Sequence, residues 1–247
     1  LDLRQLARSD ESLAAISAPG LRGRLGRDQL LFGDMEDVEV DVDVHETAKW
    51  YYTGGSSRPC LHETHRGTVA LCSHRKSTSQ SPSVINFRNR VRTLGNATDT
   101  PNKDLTLLGW LQGDNAGRTS IEVEYFAPLG SATFGGETAL DTVVGDRAWS
   151  PVWHDLSMPP DDPETPESRS ANARALRIFV EHHAPASGDE GILRLDDFAV
   201  VTWLEETAFE DERTFDAPHP HDFVRFEGAP GQHEITLVFE QFAPPGD

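Results

Sequence analysis

The sequence predicts an all-β protein, an antiparallel β-sandwich with a short N-terminal helix and an extra C-terminal hairpin. Short segments rich in β-branched and aromatic residues recur along the chain, and Gly, Pro, Asn and Asp break them apart. No long helical pattern lies between them, so the connections suit strands that return antiparallel. A third observation is the segment 191–203, Gly-Ile-Leu-Arg-Leu-Asp-Asp-Phe-Ala-Val-Val-Thr-Trp, where Ile192, Phe198 and Val200 flank two adjacent acids. Neighbouring side chains of a strand face opposite ways, so one of Asp196 and Asp197 is expected to point inward. A lone buried carboxylate is expensive, and a cation would serve as its partner.

Taken in order, residues 1–17 carry Leu3, Leu6, Leu13 and Ile16 at roughly helical spacing until Ala18, Pro19 and Gly20 stop the pattern. Residues 21–29 form a basic connector, so 1–29 is expected as a helical and basic linker. A sandwich domain is expected over 30–204. Between 37 and 44, Asp37, Glu39, Asp41 and Asp43 alternate with Val38, Val40, Val42 and Val44. That is the pattern of a half-buried strand, whose acidic face is either solvated or a gatherer of cations. Strands are expected at 67–72, 83–88, 105–112, 120–126, 152–156, 175–181 and 191–203, with a polar, proline-rich loop over 157–173. The extension 205–247 follows. Its acidic stretch leads to strands at 222–227 and 233–242, joined by Gly228-Ala-Pro-Gly231 as a hairpin.

Charge narrows the partners. Lys and Arg number 22 and Asp and Glu 41, a net of −19. So acidic a surface repels nucleic acid and anionic membranes, and it suits cations, the cell exterior or a saline habitat. No run of about 18 apolar residues exists to insert into a membrane. The chain begins at Leu1 without a leader pattern and is read as a piece of a longer, secreted or cell-surface protein. Cys60 and Cys72 suit one disulfide in an oxidising compartment. Two free thiols are the alternative, and so is zinc shared with His62, His65 and His74, although the spacing matches no common zinc module.

The order of motifs then becomes recognisable: Gly33-Asp-Met-Glu36, Trp50, Gly67-Thr-Val-Ala-Leu71, Leu105-Thr-Leu-Leu-Gly-Trp110, Trp149, Val152-Trp-His-Asp-Leu156, Arg174-Ala-Leu-Arg-Ile178 and Leu195-Asp-Asp-Phe198. Over about residues 30–204 it resembles the galactose-binding-like jelly rolls, especially carbohydrate-binding modules of extracellular polysaccharide-active proteins. The resemblance implies a structural calcium held by Glu36 and Asp197, or by Asp196 in another register, with loop carbonyls near residue 67 completing the oxygen shell. It also implies aromatic side chains stacked on sugar rings. Trp50, Tyr51, Tyr52 and Trp153 are the candidates, while Trp110 and Trp149 are read as core.

The expected function is therefore noncatalytic recognition of a polysaccharide or other glycan, as an accessory domain of a larger extracytoplasmic protein. A second reading is a structural sandwich that packs on an adjacent catalytic domain and binds no sugar. A third is an acidic-site glycoside hydrolase with two carboxylates across one cleft. No Gly-x-Ser-x-Gly nucleophile motif and no phosphate-cradling glycine loop is present. His219 and His221, separated by Pro220, read as a rigid turn, and His182-His183 as an exposed turn entry.

Overall fold

In the computed structural model, residues 1–6, 11–30, 33, 35–36, 50–53, 56–61, 63–87, 105–126, 133–138, 145–156, 175–204, 207–208, 213–214, 222–228 and 231–241 are described. A 3-10 turn at Leu3–Gln5 precedes sixteen strands among them. These are β1 (Glu11–Ser17), β2 (Arg22–Asp28), β3 (Trp50–Thr53), β4 (Ser56–Leu61), β5 (Val69–Lys76), β6 (Ser83–Phe87), β7 (Leu105–Ala116) and β8 (Thr119–Phe126). There follow β9 (Thr133–Thr138), β10 (Gly145–Leu156), β11 (Ala175–His182), β12 (Glu190–Trp203), β13 (Thr207–Ala208), β14 (Arg213–Thr214), β15 (Phe223–Glu227) and β16 (Thr236–Gln241). The chain divides into two units: Gln29–Val200 is one, and Leu1–Asp28 with Val201–Asp247 is the other.

The 29–200 unit is a jelly roll by its own topology. One sheet runs β10-β7-β12-β5-β4, and the other β3-β6-β11-β8-β9. Counted from β5 to β12, strands one, three, six and eight form the first sheet, and two, four, five and seven the second. Every consecutive pair except β8–β9 therefore sits on opposite sheets, the eight-stranded double Greek key. Alternation supplies the core. Leu105, Leu107 and Leu111 of β7 face inward from the first sheet, and Ile121, Val123, Leu176, Ile178 and Val180 of β8 and β11 from the second. At one end the interior turns polar: Ser73 and Arg75 of β5 and Ser83, Thr119 and His182 of β6, β8 and β11 are all buried. His182 is fully buried, with Nδ1 3.1 Å from Ser73 Oγ. It ends a strand as expected, but it is a core residue and no exposed turn entry.

The expected strands at 67–72, 83–88, 105–112, 120–126, 152–156, 175–181 and 191–203 correspond to β5, β6, β7, β8, β10, β11 and β12. The acidic alternation at 37–44 and the loop at 157–173 lie outside the described residues, as do His219 and His221.

The other unit corrects two expectations. In place of an N-terminal helix there is one 3-10 turn followed by β1, which pairs antiparallel with β16 and β14. A β-bulge between Leu13 and Ala15 brings Leu13, Ala15 and Ile16 all into burial. That spacing imitates a helical stripe. The C-terminal strands do not form a hairpin with each other. β15 pairs with β2 and β16 with β1, because both find partners more than 190 residues earlier in the chain. The basic segment 22–28 is the strand β2, hydrogen-bonded to β13, β15 and the last three residues of β12. Leu3, Leu13, Ile16, Leu21, Leu25 and Val224 form this unit's apolar core, with Phe226, Leu237 and Phe239 packed against it.

Candidate functional site

The outer face of the first sheet carries an unusual set of planar side chains. In β7 the period-two pattern that buries Leu107, Gly109 and Leu111 turns Trp110 and Gln112 the other way, leaving both partly exposed. On the neighbouring strand β10, Pro151 is paired with Trp110 and Trp153 with Leu108. Trp153 is 50% exposed. The β10–β7 register slips between Arg147 and Ser150, and Trp149 lies in that bulge. Bulges re-aim side chains, and this one places Trp149 edge-on to His65, ring centroids 5.9 Å apart.

His65 comes from the segment after β4 and stacks flat on Trp110, with centroids 3.7 Å apart and planes 13° apart. Two carboxylates hold it there. Asp196 Oδ2 accepts the backbone N–H of His65 (2.8 Å) and of Arg66 (3.1 Å), and Asp197 Oδ2 lies 2.9 Å from His65 Nδ1. Both acids are buried, and both serve the 65–66 loop. Simple alternation, which sent one inward and one outward, therefore fails here. The inward set of β12 runs Leu193, Leu195 and then Phe198, Val200, so its phase slips by one between the two pairs. Asp197 takes φ 51°, a left-handed conformation rare for a residue other than glycine, and its N–H bonds Asp196 Oδ1 at 2.9 Å. Burial, with the Asp197 charge adding to it, pushes the Asp196 carboxyl up to about 7 against the pull of its three N–H donors.

Glu36 closes the other side of this loop. Its Oε1 accepts the N–H groups of Thr68 and Val69 at 2.8 and 3.1 Å, and its Oε2 the Thr68 hydroxyl at 2.8 Å. Glu36, Asp196 and Asp197 thus converge on residues 65–69, and their oxygens are the hard donors calcium prefers. In this arrangement, however, both oxygens of Glu36 and of Asp196 receive N–H or O–H groups. Among the described residues no group of three or more His, Cys, Asp or Glu stands ready to hold a metal. The residues as placed do not fit a calcium, and no chemistry is derived through one.

Beside this aromatic cluster lies a cleft of about 650 Å³, lined by Glu63, Gln112, Asp114, Asp146, Arg147, Trp149 and Arg194 among others. Arg194 is paired with Glu63. Asp146 accepts the N–H of Asn115 at 2.7 Å, and Arg147 Nε donates to Ser150 Oγ at 2.8 Å. The lining therefore mixes acceptors and donors beside one indole, with no single charge in command. Cys60 and Cys72 form a disulfide that ties edge strand β4 to β5 in the same sheet.

The structure does not bring the four aromatic candidates together. Trp50, Tyr51 and Tyr52 lie on β3, at the edge of the second sheet and paired with β6. Trp153 lies on β10, at the edge of the first. Trp110 and Trp149, read from the sequence as core, stand on the outer face with His65. For Trp110 the signal was present, since the alternation of β7 places it opposite Leu107 and Leu111. For Trp149 and His65 a bulge and a distant loop decide, and no local pattern shows either.

No protein-family model matches the chain, and no curated protein matches it in sequence. Among solved structures it is similar to the module TmCBM61 in complex with β-1,4-galactotriose, at 13% identity and a TM-score of 0.43, covering 70% of this chain and 97% of that one. It is also similar to the family 11 carbohydrate-binding module of Clostridium thermocellum in complex with a β-1,3-1,4-mixed-linked tetrasaccharide. There the identity is 10% and the TM-score 0.41, with 72% and 95% of the two chains covered. The CBM22-1 xylan-binding domain of Paenibacillus barcinonensis Xyn10C is similar at 11% identity and a TM-score of 0.40, over 72% of this chain and 93% of that one.

Proposed function

We propose that the 29–200 unit is a noncatalytic glycan-binding module whose site is the outer face of the β10-β7-β12-β5-β4 sheet. One observation carries the reading: Trp153, Trp110 and Trp149 share that face, Trp149 also lining a cleft with mixed hydrogen-bonding groups. Indole faces offer sugar C–H groups a flat apolar surface, while carboxylates, amides and guanidinium groups bond the hydroxyls. The test is calorimetric titration of the purified chain with xylohexaose, β-1,4-galactotriose and a mixed-linked β-1,3-1,4-glucan tetrasaccharide. Binding to at least one, lost in Trp153→Ala and in Trp149→Ala while both variants keep their Tm, supports the reading. Binding that survives both substitutions would put the site elsewhere, with Trp50, Tyr51 and Tyr52 of the other sheet as the next face to test.

We place the protein outside the cytoplasm, because the Cys60–Cys72 disulfide persists only where thiols are oxidised. Calcium at Glu36, Asp196 and Asp197 is a separate proposal. Its support is that three carboxylates bond residues 65–69, and it requires them to come together and give up the N–H donors that they now hold. A Tm raised by several degrees on adding millimolar calcium, and restored by EDTA, supports it; an unchanged Tm ends it.

A second reading rests on the other unit, which exposes Leu1, Leu6, Leu204, Ile235 and Val238. Such residues suit packing on an adjacent catalytic domain of the parent chain. Coexpression with that domain and measurement of complex formation by wild type and by Ile235→Asp with Val238→Asp tests this.

A further inference from the structure

We propose that His65 is itself a glycan contact, a tautomer-fixed hydrogen-bond acceptor, and that Asp197 is the residue that positions it. This rests on the glycan reading of the same sheet and names a residue that aromatic stacking alone would not require. Three features of His65 support it. The ring is clamped flat on Trp110 and edge-on to Trp149, so its plane is set by the two indoles of the face. Its backbone is pinned through Asp196. Its Nδ1 is engaged by Asp197 at 2.9 Å.

The last contact has a chemical consequence. A carboxylate accepts and cannot donate, so the neutral imidazole keeps its proton on Nδ1 and presents a lone pair at Nε2. His65 is 19% exposed in its side chain, and no other described residue is hydrogen-bonded to Nε2. A sugar hydroxyl donating to Nε2 would fill it. Glu63 and Thr64, which precede His65, and Trp149, which its ring meets edge-on, line the cleft, so the ring neighbours it without forming its wall. Asp197 performs this only from its left-handed conformation, with its N–H tied to Asp196. Strain of that kind is kept where the surroundings over-determine it, and functional sites are where it gathers. The two adjacent aspartates thus have one common object, the placement and protonation pattern of a single imidazole.

The test uses the whole chain and the tightest-binding of the three oligosaccharides named above. In ¹⁵N-labelled wild type at one fixed pH, the His65 imidazole should show the Nδ1–H pattern, and its Nε2 resonance should move on saturation. Movement of the Trp149 and Trp153 indole signals without any change at His65 overturns the inference and leaves the glycan reading standing. No movement at any of the three sinks both. His65→Phe keeps a ring on Trp110 and should lose roughly tenfold in affinity, the scale of one hydrogen bond to a buried acceptor. A folded His65→Phe with unchanged affinity also overturns the proposal. Should that variant fail to fold, the wild-type spectrum decides alone. Asp197→Asn suits the left-handed backbone and should mix the tautomers, lowering affinity several-fold. An unaltered tautomer pattern in that variant removes Asp197 from the positioning role.

Discussion

The two sheets of the 29–200 unit are alike inside and opposed outside. Both turn aliphatic residues inward by the same alternation, Leu107 and Leu195 from one, Ile121 and Ile178 from the other. Outside, the first sheet shows Trp110, Trp149, Trp153 and His65. The second shows Glu122, Glu124, Arg177, Phe179 and Glu181, with Arg177 bonded to Glu124 at 2.9 Å and lying 4.3 Å from the Phe179 ring centre. On β8 and β11, then, charged groups predominate and pair with one another. Half-exposed Trp153 gives up hydrophobic stabilisation that burial would have provided, which is why the glycan site is proposed on this face.

The inner likeness is tested most severely at its polar end. His182 faces Ser73 and Arg75 across the sandwich, and burial, reinforced by the Arg75 charge, pushes its pKa down from 6.5 to about 3. A histidine with a lowered folded pKa binds its proton more readily when unfolded. The stability it protects is therefore complete above about pH 6.5 and drains away as pH falls towards 3, by roughly 4 kcal/mol. Asp196 acts in the opposite sense: its raised pKa favours the folded state at low pH and removes that stability as pH climbs from about 4 through 7. Urea denaturation of wild type and His182→Gln between pH 4 and 7 isolates the histidine. The slope should differ between the two proteins, and parallel curves would mean that His182 is not buried in this way.

Next in size are paired core truncations. Leu107→Ala on the first sheet and Ile178→Ala on the second should each cost about 3 kcal/mol in chemical denaturation. A large gap between them would break the claim that the inner faces are equivalent. The outer faces should then separate. Trp153→Ala should weaken glycan binding by about thirtyfold, or about 2 kcal/mol, while Phe179→Ala leaves it unaltered. Equal losses in calorimetry would erase the distinction. The smallest effect concerns charge on the second sheet. Burial, then Glu181 and Glu124, raise the Glu122 pKa. Glu122→Gln should raise stability at neutral pH by a few tenths of a kcal/mol after solvent screening, and less at high salt.

Legibility in the sequence followed the range of the interactions involved. β5, β7, β11 and β12 could be located from alternation and turn residues, because side-chain phase along a strand is a local property. The N-terminal segment misled for the same reason. Leu13 and Ile16 carry a helix-like spacing that a bulge against β16 produces, and β16 lies more than 200 residues away. The site divides in the same manner. The importance of Asp196 and Asp197 could be read from two acids inside an apolar strand. Their shared target could not, since His65 reaches them from 131 and 132 residues earlier.

From residue order alone came an all-β chain, an acidic composition and most strand positions, while Trp110 was misassigned to the core. Contacts between distant segments set which strands pair, where β10 and β12 slip their phase, and that one sheet's outer face gathers Trp149, Trp153 and His65. The physical reason is that alternation is written into neighbouring residues, whereas a bulge gains its stability only from the partner strand it is fitted to. That partner is chosen by the whole fold.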